Sequence, residues 1–269
     1  MARQRLGQHF LSNIVWRKKI FETLPRAAGE SWVEIGAGHG EITQLLAAPG
    51  RRLVAIEADP RLAESLKDRV AAEPEKWPAV EVVAGDVLKL DLGALGGARF
   101  RVYGNLPYYI TSPILFQLFE YADQIESIHI VVQWEVAARI AARPGGREYG
   151  YLSAACRFYS HPEIVLRLPP GAFRPPPRVT SALVRLSLPG ERRALALADE
   201  KRFLEFVQIC FAHKRKTLRN NLRPIAAGVQ IQAALAATGL RTDARAEQLS
   251  LAQFAALFGN LTANAQARG

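Results

Sequence analysis

Apolar, β-rich runs at residues 32–35, 53–56, 80–83 and 100–103 each lead into a small or acidic residue. The segments between them, notably 41–48 and 60–70, have helical spacing, and the second opens on a proline suited to a first helical turn. Strands that alternate with helices predict a parallel, doubly wound sheet. Further runs at 128–132, 164–168 and 182–188 extend that sheet, and the last two, divided by a proline-rich turn, are candidates for an antiparallel pair. Past Pro189-Gly190-Glu-Arg-Arg193 the period becomes helical, with Phe203, Phe206, Val207 and Phe211 on one face. The pattern predicts an α/β domain over residues 1–188 with a basic N-terminal arm, and a small all-helical domain over 189–269.

Composition adds little to this until charge is located. A chain of 269 residues that is 49% hydrophobic has enough apolar surface for a sizeable core. No segment approaches the ~18 consecutive apolar residues of a membrane span, and the N-terminus has no secretory pattern, so a soluble, cytoplasmic protein is expected. The two cysteines, Cys156 and Cys210, are far apart and predict neither a disulfide framework nor a metal site. Lys and Arg number six against two acids in residues 1–30, seventeen against seventeen in 31–188, and twelve against six in 189–269. A neutral body with basic ends suits an enzyme that holds a polyanion by its edges, the alternative being ordinary solvated helix faces.

The first strand leads into Glu34-Ile-Gly-Ala-Gly-His-Gly40, where Gly36 and Gly38 let the backbone approach a ligand at the C-terminal edge of the sheet. A dinucleotide would need glycine or alanine at position 41, but the residue there is Glu41, an anion where a pyrophosphate would sit. S-adenosylmethionine has no phosphate and carries a sulfonium cation, so the same loop tolerates it. Glu57, ending the second strand, has the spacing of an acid that accepts from ribose hydroxyls, and Asp86, after the third, is placed to accept from an adenine amine. The plainer alternative is that both acids cap the helices that follow.

The fourth strand runs into Gly104-Asn105-Leu106-Pro107-Tyr108. The exocyclic amine of adenine is a poor nucleophile because its lone pair is delocalised into the ring. The side-chain oxygen of Asn105 and the backbone carbonyl of Leu106 can accept its two hydrogens and localise that pair, with Pro107 stiffening the corner. Tyr108 can stack on a base that has been taken out of its RNA stack. The cluster Lys214, Arg215, Lys216 and Arg219, on a predicted helix start, together with Arg223, reads as an RNA-backbone contact that Arg3 and Arg5 extend.

Through Gly7-Gln-His-Phe-Leu11, the glycine loop, Glu57, Gly85-Asp86, the Asn105 corner, Phe173-Arg-Pro-Pro-Pro-Arg-Val179 and Arg215-Lys-Thr-Leu-Arg-Asn-Asn-Leu222, the chain closely resembles the ribosomal RNA adenine dimethyltransferase family, and within it the KsgA-type small-subunit (16S) enzymes. The resemblance covers nearly the whole chain. It implies a Rossmann-like S-adenosylmethionine-dependent methyltransferase domain with a helical C-terminal domain, methylation of two adjacent adenosines near the 3′ end of 16S rRNA, S-adenosylhomocysteine as product, and a part in small-subunit maturation. It further implies that His9 and Leu11 border the methionine end of the cofactor, Gly36 and Gly38 its backbone cradle, Glu57 its ribose and Asp86 its adenine, with Asn105 at the transfer point. Phe173 would give a second aromatic face opposite Tyr108. Where the family usually continues its Asn-Leu-Pro-Tyr with Asn, this chain has Tyr109.

The expected partner is the small ribosomal subunit, with no membrane, DNA or metal partner, and the protein is expected to be a monomer. Two other readings compete. A large-subunit rRNA methyltransferase of the antibiotic-resistance type shares the N-terminal and Asn105 motifs, but the Pro175-Pro176-Pro177 and Lys216-Thr-Leu-Arg-Asn-Asn221 segments favour the small-subunit enzyme. A non-catalytic ribosome-assembly factor would have no need of Glu57, Asp86 and Asn105 together.

Overall fold

The computed structural model describes residues 9–26, 29–107 and 109–266, and their contacts divide the chain into two compact units. The first comprises the chain up to Ala137 together with Pro162–Leu188, and the second Ala138–His161 with the chain from Pro189 on.

The first unit is built on a seven-stranded sheet: β1 (Ser31–Ile35), β2 (Arg52–Glu57), β3 (Val80–Ala84), β4 (Phe100–Asn105), β5 (Ile125–Gln133), β6 (His161–Leu168) and β7 (Ser181–Ser187), in the order β3-β2-β1-β4-β5-β7-β6. The pairs β1–β2, β2–β3, β1–β4 and β4–β5 are parallel, whereas β7 runs antiparallel to β5. Strand β1 is buried from Trp32 to Ile35 and β2 from Leu53 to Glu57, as parallel central strands covered on both faces must be. From β1 the chain winds outward to β2 and β3, then returns to place β4 on the other side of β1. That reversal opens a crevice beyond the carboxyl ends of β1 and β4, where ligands of such sheets bind.

Local signals explain the flanking helices. Helix α1 (Ile14–Thr23) is capped by Asn13, whose side chain accepts from the amides of Val15 and Trp16. Helix α2 (Thr43–Leu46) is only four residues long, much shorter than the predicted 41–48. Helix α3 (Pro60–Ala72) has Pro60 in its first turn and Asp59 as N-cap, accepting from the amide of Arg61. Helix α4 (Leu92–Gly96) is followed by β4, and α5 (Thr111–Glu120) buries Ile114, Leu115, Leu118 and Phe119 along one face.

The chain leaves the first unit within α6 (Trp134–Ala141). The second unit contains α7 (Tyr151–Tyr159), α8 (Arg192–Leu195), α9 (Glu200–Cys210), α10 (Leu218–Asn221), α11 (Gly228–Ala237) and α12 (Leu251–Gln266). Phe203, Phe206 and Val207 are buried there as the helical period predicts, with Phe211 partly buried beside them. The expected boundary at 188/189 does mark one return of the chain, but residues 138–161, placed in the first domain by sequence, group with the helical unit. Tyr149, Ala154 and Phe158 are the reason: they share its core, with the Phe158 ring 5.6 Å from that of Phe203. Cys156 and Cys210 are both buried free thiols, and burial pushes both well above the ordinary thiol range. Among the described residues no helix is long and apolar enough to cross a membrane.

Candidate active site

A cavity of about 280 Å³ lies in the first unit, and Gly36, Gly38, Glu57, Asp86 and Asn105 all line it. The glycine turn is fastened to β2, for the amides of Gly36 and Ala37 both donate to the carbonyl of Ile56, at 2.9 and 3.1 Å. Gly36 and Gly38 have φ of +74° and +58°, left-handed values that glycine adopts without strain. A Cβ on Gly38 would stand 3.1 Å from the ring of Phe10, and one on Gly36 would stand 3.7 Å from the carbonyl oxygen of Asn105. The turn therefore brings bare backbone to the cavity wall on one side and to the end of β4 on the other.

Glu57 is 3% exposed, and its carboxylate is held at both oxygens: Oε2 accepts from the amide of Gly38 at 2.8 Å and Oε1 from that of Asp59 at 2.9 Å. Each oxygen keeps a further lone pair for a ligand hydroxyl. Glu57 does not cap α3, since Asp59 does. Asp86 does both things weighed from sequence, capping a short 3₁₀ turn by accepting from the amide of Leu88 at 3.1 Å while lining the cavity. The charged side chains on the cavity wall are thus acidic, with no Lys or Arg among the described lining residues.

At the end of β4 the Nδ2 of Asn105 donates to the carbonyl of His9 at 2.9 Å. Among the described residues no donor meets Oδ1 of Asn105 or the carbonyl of Leu106. The amide of Leu106 is tied to the carbonyl of Val131 at 3.2 Å, and the carbonyl of Pro107 accepts from the amide of Ile110 at 3.1 Å, closing the corner before α5. Asn105, Leu106 and Pro107 all line the cavity, and Tyr109, 66% exposed, stands on its wall. Tyr108 lies outside the described residues, as do Arg3 and Arg5.

The N-terminal segment closes one side. Phe10 and Arg174 exchange two backbone hydrogen bonds, of 2.9 and 2.8 Å, and His9 Nδ1 lies 2.7 Å from the carbonyl of Pro175. His9 lines the cavity, whereas Leu11, 4% exposed, borders an adjoining pocket of about 30 Å³ that shares Phe10, Gly36, Gly38 and Asn105 with it and adds Glu34 and Tyr103. Phe173, expected to give an aromatic face opposite Tyr108, lies buried in this structure. It is 2% exposed, packs with Leu11, Tyr103, Leu168 and Leu183, and is absent from the cavity wall. Extended backbone alternates its side chains, and with Arg174 outward beside Phe10 the ring of Phe173 is directed into the core.

Sequence reasoning passed over the apolar lining: Phe10, Ile56, Val87, Ile110 and Ile114. The available signal was the i, i+4 spacing of Ile110 and Ile114 beside the Asn105 corner. In the second unit Lys214, Arg215 and Lys216 lie before α10 and not on it, Arg219 within it and Arg223 just after; all five are exposed. The described residues hold no cluster of three His, Cys, Asp or Glu side chains that could bind a metal ion.

A family model described as "Ribosomal RNA adenine dimethylase" matches residues 1–263. Among curated proteins, "Ribosomal RNA small subunit methyltransferase A" of Acidobacterium capsulatum is 44% identical over 260 residues, covering 96% of this chain and 90% of that protein. The protein of the same name from Koribacter versatilis is 41% identical, with 96% and 93% covered. Among solved structures, a dimethyladenosine transferase from Plasmodium falciparum superposes with a TM-score of 0.76 at 24% identity, covering 96% of this chain and 98% of its own, a likeness of fold. The 23S rRNA methyltransferase ErmE gives 0.67 at 28% identity, covering 94% and 99%.

Proposed function

This chain belongs to the ribosomal RNA adenine dimethylase family, and from that premise we propose that it uses S-adenosylmethionine to dimethylate N6 of two adjacent adenosines near the 3′ end of small-subunit (16S) rRNA during subunit maturation. The observation that carries this reading is the pairing of two oxygen acceptors, Asn105 Oδ1 and the Leu106 carbonyl, that no donor among the described residues meets, with a cavity whose charged side chains, among the described residues, are acidic.

The charge of the cavity suits the cofactor. A phosphate-bearing cofactor would meet Glu57 and Asp86 with no Lys or Arg among the described lining residues, whereas a nucleoside with a sulfonium finds acceptors for its hydroxyls and amine. Glu57 would hold the ribose, Asp86 the adenine amine, the Gly36–Gly38 backbone and His9 the amino-acid end, and Val87, Ile110 and Ile114 the apolar faces of the purine. When bound, S-adenosylmethionine supplies an electrophilic methyl carbon on sulfur.

The protein's own part is orientation. Asn105 Oδ1 and the Leu106 carbonyl accept the two N–H hydrogens of the target amine, drawing its lone pair out of conjugation and directing it into the cavity. No strong base is required, because the amine becomes acidic only as the new bond forms. After the first transfer one hydrogen remains, so one of the two acceptors can hold the amine for the second, with room in the pocket for the methyl already added. Exposed Lys214, Arg215, Lys216, Arg219 and Arg223 would hold the RNA backbone. The protein is proposed to act as a cytoplasmic monomer.

Tritiated methyl transfer to undermethylated small subunits, large subunits and naked RNA tests this reading. Label confined to the small subunit, recovered as N6,N6-dimethyladenosine at two neighbouring positions, is the expected result. Label on the large subunit would assign the chain to the rival specificity, and no label anywhere would leave the assembly-factor reading.

A further inference from the structure

The loop between α6 and α7, residues 142–150, reads Ala-Arg143-Pro-Gly-Gly-Arg147-Glu148-Tyr149-Gly. It belongs to the second unit and is pinned there at three points. The amide of Gly145 donates to the carbonyl of Glu247 at 2.7 Å, and Lys214 Nζ donates to the carbonyl of Arg147 at 2.9 Å. Tyr149, 1% exposed, sets its ring edge-on to that of Phe211, with centroids 5.8 Å apart. A further turn bond joins the amide of Gly146 to the carbonyl of Arg143.

These pins hold the backbone and leave the two arginine side chains in solvent. The Arg147 side chain is 95% exposed, and its only carboxylate partner among the described residues is the adjacent Glu148, at 3.9 Å and itself 46% exposed, a pairing too weak in water to neutralise it. Arg143 is exposed, with no carboxylate partner among the described residues. On the far side of the Lys214 bond, Arg215, Lys216, Arg219 and Arg223 are exposed, with no carboxylate partner among the described residues, and residues 212–223 contain no acid. Clustered like charges repel one another and oppose folding, so a rigid strip of unneutralised cations suits a polyanion that supplies the missing charge.

We propose that the 142–150 loop forms one phosphate-binding strip with residues 214–223, Arg143 and Arg147 each neutralising an RNA phosphate beside those assigned above to the 214–223 cluster. Lys214 is the joint, its ammonium tying one segment to the other. The inference rests on the reading of the partner as rRNA, and it adds two binding residues from a segment that the sequence placed in the other domain.

The test is the salt dependence of binding to small subunits, measured between about 50 and 200 mM salt for the wild type, Arg143→Ala/Arg147→Ala, Arg143→Lys/Arg147→Lys, and a control, Arg61→Ala/Lys67→Ala, that removes the same charge from exposed positions on α3. The loop alanine variant should flatten the plot of log affinity against log salt by about 1.4–1.8, two phosphates at 0.7–0.9 each, while the lysine variant and the control keep the wild-type slope. Its affinity for S-adenosylhomocysteine should not change. An unchanged slope in the loop variant, alongside a flattened one in Lys214→Ala/Arg215→Ala, would overturn the inference and leave the proposed function standing; equal flattening in the control would overturn it too, as an effect of net charge. A wild type that binds neither small subunits nor naked rRNA would instead overturn the reading on which the inference rests.

Discussion

The side-chain amide of Asn105 donates from Nδ2 to the backbone carbonyl of His9 across 2.9 Å. A carbonyl can only accept, so this bond decides which way the amide faces and leaves Oδ1 as its unused acceptor. One contact thus ties the N-terminal segment to the end of β4 and sets the polarity of the site.

Replacing Asn105 by Asp keeps the size and an acceptor but sets a carboxylate oxygen against the His9 carbonyl. The lost bond and the added repulsion should destabilise the protein by about 1–3 kcal/mol, read from urea unfolding. Stability equal to wild type at neutral pH would show that the bond does not hold the N-terminal segment.

Glu57→Gln tests the second anchor. Glutamine must turn an NH₂ toward one of the two amides that Glu57 now accepts, so either the glycine turn or the start of α3 loses its partner. Affinity for S-adenosylhomocysteine, measured by calorimetry, should fall by about 10-fold or more. Unchanged affinity would remove Glu57 from the cofactor site.

Much of this site was legible because its chemistry sits at strand ends. Gly36, Glu57, Asp86 and Asn105 each follow an apolar run, and a parallel sheet gathers such positions at one edge. What stayed hidden depends on contacts distant in sequence. An aromatic residue before a proline-rich turn looks the same whether it faces a ligand or a core, and Phe173 is drawn inward by Leu11, Leu168 and Leu183. The stretch 138–161 shows no change of composition to mark its transfer to the helical unit. Only the packing of Phe158 on Phe203 and of Tyr149 on Phe211 reveals it.

Glu34 gives the protein a stability slope between pH 4.5 and 8. Burial, reinforced by the charges of Glu41 and Glu57 and opposed by the Thr43 hydroxyl, raises its pKa from 4.5 to about 8. Between these two values the unfolded chain has released the proton that the folded protein retains. Unfolding therefore releases a proton, and stability falls as pH rises from 4.5 to 8, by about 1.4 kcal/mol per unit at the steepest. Glu34→Gln should match the wild type near pH 5 and exceed it at pH 8 in urea unfolding; a constant difference across that range would contradict the assignment.

His129 tilts the acid side the other way. Burial first, then the nearby charges of Arg185 and Arg101, lower its pKa from 6.5 to about 3, so it is neutral in the fold, with Nε2 3.0 Å from the Ser127 hydroxyl. Its contribution is complete above pH 6.5 and is lost as acid protonates the unfolded chain on the way down to 3. His129→Gln should lose less stability than the wild type over that descent. Parallel curves for the two proteins would refute the prediction.

The central claim is that Asn105 acts by orienting the amine, and single-turnover methyl transfer to small subunits tests it most directly, with Asn105→Ala compared against wild type at saturating cofactor and RNA. The rate of the chemical step should drop by about 100-fold or more while affinity for S-adenosylhomocysteine stays within a few-fold of wild type. A variant that transfers methyl groups at the wild-type rate would contradict the account.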